Sequence, residues 1–233
     1  MCQDCGCGDS ELVPVAVQER LLAANDRTAS HNRRHFQEAS VLALNLMGSP
    51  GSGKTAVLEA AGRRAGKSLR IGAVSGDLET DHDAVRLQRA GIPARAITTG
   101  TACHLDAEMV HKALHGFDIA GLDLFVIENV GNLVCPAIYD LGQAANVVAL
   151  AVTEGEDKPL KYPAMFRAAD LVLLTKVDLL PHLEVSVGAI EEALARVMPA
   201  PRMIPVSART GEGIDLFLQW IRNRRRNPAE ARA

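Results

Sequence analysis

The sequence predicts an α/β fold with a mostly parallel sheet covered by helices on both faces. Short, continuously apolar runs alternate with helix-forming segments, the pattern of strands buried on both sides. The first run leads into Gly48-Ser-Pro-Gly-Ser-Gly-Lys54-Thr55, and a helix-forming stretch, Ala56–Arg64, follows at once. Strand, glycine-rich loop and helix in that order are what a phosphate-binding loop requires, so the class narrows to a P-loop NTPase. At 233 residues the chain suits one large domain with a sizeable core plus a short appendage.

In chain order, residues 1–13 read as a flexible, Cys-rich metal-binding tail. Cys2, Cys5 and Cys7 fall within seven residues, with Gly6 and Gly8 beside them, so three thiolates can converge on one ion. In a reducing compartment metal ligation outranks disulfides, the bland alternative being incidental cysteines. Residues 14–36 carry Val15, Val17, Leu21 and Leu22 partly at helical spacing, which predicts an amphipathic helix packed on the domain. His31 and His35 share a face of it, a spacing that suits a metal and equally an exposed pair. Residues 37–227 are the expected P-loop domain, and 228–233 a tail. Strands are expected at Val41–Met47, Leu69–Ser75, Arg95–Thr98, Leu124–Asn129, Asn146–Val152, Asp170–Thr175 and Met203–Ser207. Helices are expected at Thr80–Ala90, Leu105–His115, Tyr162–Ala169, Glu184–Val197 and Ile214–Arg226. Ligands of such sheets lie beyond the carboxyl ends of the strands.

The loop residues assign roles. Gly48, Gly51 and Gly53 let the backbone curl so that N–H groups, among them that of Ser52, point at phosphate oxygens. Lys54 reaches the β- and γ-phosphates and Thr55 offers a hydroxyl to Mg²⁺. Asp77 and Glu128, each closing a strand, are the candidate acids for the metal and the attacking water, with a helix N-cap as the other reading of Asp77. Gly131 stands where a switch loop would sense the γ-phosphate through its N–H. No catalytic glutamine follows it, so slow intrinsic hydrolysis is expected. The strand ending at Thr175 runs into Lys176-Val-Asp178, a guanine motif with Thr in place of Asn, and Asp178 can accept both guanine N1–H and the 2-amino group. Ser207-Ala208-Arg209 resembles a second guanine loop, which favours GTP over ATP on base-edge complementarity.

Cys103-His104 lies just before a helical segment whose N-terminus would favour a thiolate at Cys103, and Cys135 falls four residues after Gly131. Thiolate and imidazole suit Ni²⁺ or Zn²⁺, and a symmetric partner would complete so small a ligand set. A buried unreactive cysteine beside a surface histidine is the other reading. The net charge of −3 argues against a nucleic-acid partner, and the basic run Arg222–Arg226 is explained as a solvated helix end. No apolar stretch approaches membrane-spanning length and the N-terminus is unlike a signal peptide, so no membrane partner and a cytoplasmic location are expected.

Taken together, Cys2-x-x-Cys5-Gly-Cys7-Gly, Gly48–Thr55, Gly76-Asp77, Cys103-His104-Leu-Asp106, Glu128-Asn-Val-Gly-Asn-Leu-Val-Cys135-Pro136 and Glu154-Gly-Glu-Asp-Lys158-Pro-Leu-Lys-Tyr-Pro163 resemble the HypB family across nearly the whole chain. Members of that family are GTPases of the SIMIBI class that assist nickel insertion into NiFe hydrogenase. The resemblance implies a homodimer linked to GTP and metal, with Cys103, His104 and Cys135 as ligands at its interface. It also implies a second nickel site at the tail cysteines, and as partners another hydrogenase maturation factor and the hydrogenase large subunit. Two features depart from the pattern. A histidine-rich storage tract is absent, and Ser49 stands where some relatives of the class carry an extra lysine. Rival readings are a urease-type (UreG-like) nickel chaperone, a metal-storage protein with a relict nucleotide fold, and a small-molecule kinase.

Overall fold

The structure, a computed structural model, describes residues 15–227. The expected ligands Cys2, Cys5 and Cys7 and the tail at 228–233 lie outside the described residues.

Seven parallel strands form one sheet, in the order β3-β2-β4-β1-β5-β6-β7. They are β1 (Leu42–Met47), β2 (Ile71–Asp77), β3 (Ala94–Thr98), β4 (Leu124–Glu128), β5 (Ala145–Ala151), β6 (Leu171–Thr175) and β7 (Met203–Pro205). Among the described residues eight α-helices connect and cover them: α1 (Val15–Glu38), α2 (Lys54–Ala65), α3 (His82–Arg89), α4 (Ala107–Leu114), α5 (Lys158–Lys161), α6 (Pro163–Arg167), α7 (Val187–Val197) and α8 (Ile214–Arg226).

The continuous apolar runs are explained by burial on both faces. Along β1, Leu42, Leu44 and Leu46 point toward α2 and α8, packing with Val57, Leu58, Phe217 and Ile221. Ala43 points the other way, into a cluster of Phe36 from α1, Val110 and Leu114 from α4, and Phe125. A third cluster under α6 and α7 joins Met165, Phe166, Ile190 and Leu194 to β5 and β6. The chain leaves β1 for β2 and β3 on one side, returns to β4 beside β1, then crosses to β5 on the other side. The loops after β1, β2, β4 and β6 therefore gather at one edge, where a ligand crevice belongs.

Several boundaries differ from expectation for local reasons. Strand β2 runs on to Asp77, and α3 starts at His82 because Asp77 takes up the Thr80 N–H at 2.9 Å. Helix α4 starts at Ala107 because Asp106 is its N-cap, accepting from Met109 N at 2.7 Å. Helix α7 starts at Val187, capped by Ser186. The helical stretch near Tyr162 is broken at that residue, and α6 restarts with Pro163 at its first position. Among the described residues no helix is long and apolar enough to cross a membrane.

Candidate functional site

The P-loop is held tightly against the sheet. A Cβ at Gly48 would overlap the Ala149 carbonyl oxygen and lie 2.7 Å from Ser52 Oγ, so only glycine fits the turn out of β1. Lys54 is buried and arches back over its own loop, donating to the Gly48 and Ser49 carbonyls at 3.2 and 3.1 Å. Burial lowers its pKa, opposed by the charges of Glu128, Asp83 and Glu154. Ser52 Oγ is buried without a hydrogen-bond partner. An orphan hydroxyl and an ammonium satisfied by two neutral carbonyls fit an incoming phosphate, whose oxygens accept from both. The residues present thus suit a nucleoside polyphosphate.

Beside the loop, Thr55 Oγ1 donates to Glu128 Oε1 at 2.6 Å and Ser75 Oγ to Oε2 at 3.2 Å. Burial pushes the Glu128 carboxyl up to about 7, against those hydrogen bonds and Lys54. Hydroxyl and carboxylate oxygens in one place match the donor set of Mg²⁺. Asp77 is engaged differently: its Oδ1 accepts from Glu79 N at 3.0 Å and from Thr80 N and Oγ1. Those backbone donors hold its pKa down. It closes a local turn and caps no helix, because the N-cap of α3 is Asp81. The acid that sequence reasoning passed over is Asp83, in the first turn of α3, whose charge raises the pKa of both Lys54 and Glu128. Glu154 was also missed as an individual residue. It accepts from Ser49 Oγ and from Ala151 N (2.9 Å) and pairs with Lys158, bracing the loop from β5.

The segments expected to read the base converge. A cavity of about 430 Å³ opens beside Gly53, lined by Thr175, Lys176, Asp178, Ala208 and Arg209, with Glu59 and Arg63 of α2 opposite. Thr175, in the place expected for Asn, donates to the Ser52 carbonyl at 2.5 Å and so ties the end of β6 to the P-loop. Lys176 takes a left-handed conformation at φ 59°. Asp178 Oδ1 accepts from Ser207 Oγ at 2.6 Å, and Ser207 Oγ accepts from Thr210 N. A larger cavity, about 1040 Å³, lies at the opposite edge beside the start of β1, away from all these groups.

The thiol cluster sits next to this crevice. Cys103 Sγ lies 3.0 Å from Cys135 Sγ, and the ligand atoms of Cys103, His104 and Cys135 all fall within 4.8 Å of one another. His104 stacks on Tyr139 at 4.0 Å between ring centroids, and burial lowers its pKa. The Cys103 hydrogen bond, then burial, pushes the Cys135 thiol up. The expectation that a helix N-terminus serves Cys103 is corrected, since Asp106 caps α4 three residues further on. Thiol and imidazole donors fit Ni²⁺ or Zn²⁺.

Contacts run from the P-loop to these thiols. Gly131 packs on Pro50, where an added Cβ would lie 2.9 Å from Pro50 Cα, Cγ and N. Asn132 forms an antiparallel backbone bridge with Gly48, while its side chain donates to the Cys103 carbonyl at 3.2 Å. Asn129, buried, accepts from Leu105 N at 3.1 Å and donates to Asn45 of β1.

An all-parallel sheet with this loop after its first strand defines a P-loop nucleotide-binding protein. Residues 42–205 match the family model described as CobW/HypB/UreG, nucleotide-binding domain. The chain is 49% identical over 225 residues to the hydrogenase maturation factor HypB of Azotobacter vinelandii, covering 97% of this chain and 74% of that protein. It is similar in structure to HypB from Helicobacter pylori in complex with nickel, with TM-score 0.84, 38% identity, and 88% and 96% of the two chains covered. HypB from Archaeoglobus fulgidus superposes with TM-score 0.81 at 40% identity, covering 88% and 100%. The chain belongs to the HypB family of hydrogenase maturation factors.

Proposed function

We propose that this chain is a cytoplasmic, GTP-hydrolysing metallochaperone that binds nickel and supports its insertion into NiFe hydrogenase, with GTP-dependent dimerisation coupled to metal transfer. The observation that carries this is the double engagement of Asn132, whose backbone pairs with P-loop Gly48 and whose side chain holds Cys103. A phosphate-dependent movement of Gly131 and Asn132 would alter the Cys103–Cys135 spacing directly.

In this scheme Gly48, Gly51, Ser52, Gly53 and Lys54 bind phosphates, and Asp178, Lys176, Ser207, Ala208 and Arg209 read guanine. Thr55 and Glu128 hold Mg²⁺, which supplies charge neutralisation at the β- and γ-phosphates. Asp77, two residues beyond Ser75, which pairs with Glu128 across β2 and β4, is assigned the attacking water. Nickel is the cargo of Cys103, His104 and Cys135, with Zn²⁺ as the alternative ion there, and Cys2, Cys5 and Cys7 form a second nickel site. Val134 and Ile138, flanking Cys135, are 53% and 52% exposed, and Leu78 beside Asp77 is 43% exposed. Large apolar side chains around a half-filled ligand set suit burial against a second copy of the chain. The acceptors are another maturation factor and the hydrogenase large subunit.

Two variants test this. Lys54→Ala should reduce GTP turnover at least 100-fold, and Cys103→Ala should lower nickel stoichiometry and remove its dependence on nucleotide. Unchanged turnover in the first, or unchanged nucleotide-dependent nickel binding in the second, would refute the scheme. A second reading, nickel delivery to urease, draws on the Helicobacter pylori relative, a hydrogenase/urease maturation factor 38% identical over 216 residues. Pull-down with the two sets of maturation proteins separates them.

A further inference from the structure

Away from both centres, a group of imidazoles lies between two helices. Helices α1 and α4 pack together, and each carries two histidines one turn apart: His31 and His35 on α1, His111 and His115 on α4 and at its C-cap. The His111 ring is at the middle. Its centroid lies 4.9 Å from that of His31 at 81°, and 4.5 Å from that of His115 at 67°. With a metal–nitrogen bond of about 2.1 Å, each coordinated ring centroid sits about 3.2 Å from the ion. Two rings on one ion at roughly 90–110° are then about 4.5–5.3 Å apart. The His111–His31 and His111–His115 separations fall in that range, while the donor nitrogens of the three rings do not converge within 4.8 Å in their present rotamers, so side-chain rotation must close the set.

The tautomer of His111 is fixed from beneath. Asn32 is fully buried, and its amide nitrogen donates to the carbonyls of Ala107 (2.9 Å) and Leu141 (3.2 Å). Its Oδ1 is therefore the end facing His111 Nδ1 at 3.2 Å, and Nδ1 must donate to it. The Nε2 lone pair is left free, held in place by the kind of outer hydrogen bond that orients metal-binding histidines. Burial, then the charges of His115 and His31, favour the neutral imidazole, against Glu108. His31 and His115 are exposed, so rotation of their side chains toward Nε2 is open to them.

We propose that His31, His111 and His115, with His35 alongside, form a further metal site, of nitrogen donors only. Such a set takes Ni²⁺, Cu²⁺ or Zn²⁺ and leaves Mg²⁺ to oxygen ligands. It is separate from the Cys103, His104 and Cys135 cluster, no member of which lies on α4, although Asn32 joins His111 to Ala107, the first residue of that helix. The proposal is independent of nucleotide identity and of the acceptor protein.

The test uses the full chain with all five cysteines changed to Ser, its fold checked by circular dichroism, and calorimetric titration with Ni²⁺ and Zn²⁺ alone. One ion per chain is expected, weakened at least tenfold by His115→Ala and by His111→Ala, and unaffected by His104→Ala. Because His115 is exposed, its variant tests the site even where His111→Ala disturbs the helix pair. Absence of saturable binding, or affinity in the His115→Ala and His31→Ala variants equal to that of the parent protein, overturns the assignment.

Discussion

Glu128 is the residue at which burial and function conflict most directly. Its carboxyl titrates near 4.5 when solvated and at about 7 in the fold, chiefly from burial. Between those values the folded state holds more protons at Glu128 than the unfolded one, so the contribution of this residue to stability is fully present below pH 4.5 and falls as pH rises toward 7. The loss amounts to at most about 3 kcal/mol. Urea denaturation without nucleotide or Mg²⁺ at pH 5 and pH 8 should show this fall, and Glu128→Gln should flatten it while abolishing Mg²⁺-dependent hydrolysis. An unaltered pH slope in the variant would assign the titration elsewhere. Asp178 gives a second prediction at this scale: Asp178→Asn places an amide donor against guanine N1–H, so GTP affinity should drop at least tenfold in nucleotide competition, with ATP little changed. Lys54, Thr55, Glu128 and Asp178 were legible in the sequence because each sits at a fixed offset from a strand end. Asp83 and Glu154 were not assigned roles individually, because they reach the P-loop only through the placement of α3 and of the turn after β5.

Among the elements, α1 does more than cover apolar surface. Asn25 Oδ1 accepts from Ala107 N at 2.9 Å and its amide donates to the Asp140 carbonyl, while Arg33 makes a forked pair with the Asp140 carboxylate. The helix thereby fixes both the start of α4, just after His104, and the loop beyond Cys135. Asn25→Ala should cost about 1–3 kcal/mol in denaturant unfolding, the usual consequence of stranding buried backbone groups. The loop after β4 is the other decisive element. Asn132→Ala removes the side-chain link to Cys103 but keeps the backbone bridge to Gly48, so nickel and nucleotide should still bind while their mutual influence shrinks. The five inner strands were readable from apolar runs, since two-sided burial leaves no other pattern, whereas the edge strands β3 and β7 are only partly buried. Helix starts were read two or three residues early at Thr80, Leu105 and Glu184, because caps by Asp106 and Ser186 and the turn at Asp77 depend on hydrogen bonds that composition does not reveal.

At the scale of the whole molecule, the sheet order brings the loop after β4, which carries Cys135, against the P-loop, and that adjacency is the route the proposed coupling would take. The juxtaposition of Cys103 with Cys135, 32 residues apart, was expected from resemblance to a family, and the connection through Asn132 was not expected at all. Linkage makes the coupling reciprocal: whatever factor GTP imposes on nickel affinity, nickel must impose on GTP affinity. The most direct measurement is Ni²⁺ titration of the protein carrying Cys2, Cys5 and Cys7 as Ser, loaded in turn with GDP and with a non-hydrolysable GTP analogue. The account predicts dissociation constants differing by roughly 5–150-fold, with the same ratio recovered when nucleotide is titrated with and without Ni²⁺. Identical nickel affinities in the two nucleotide states would contradict it.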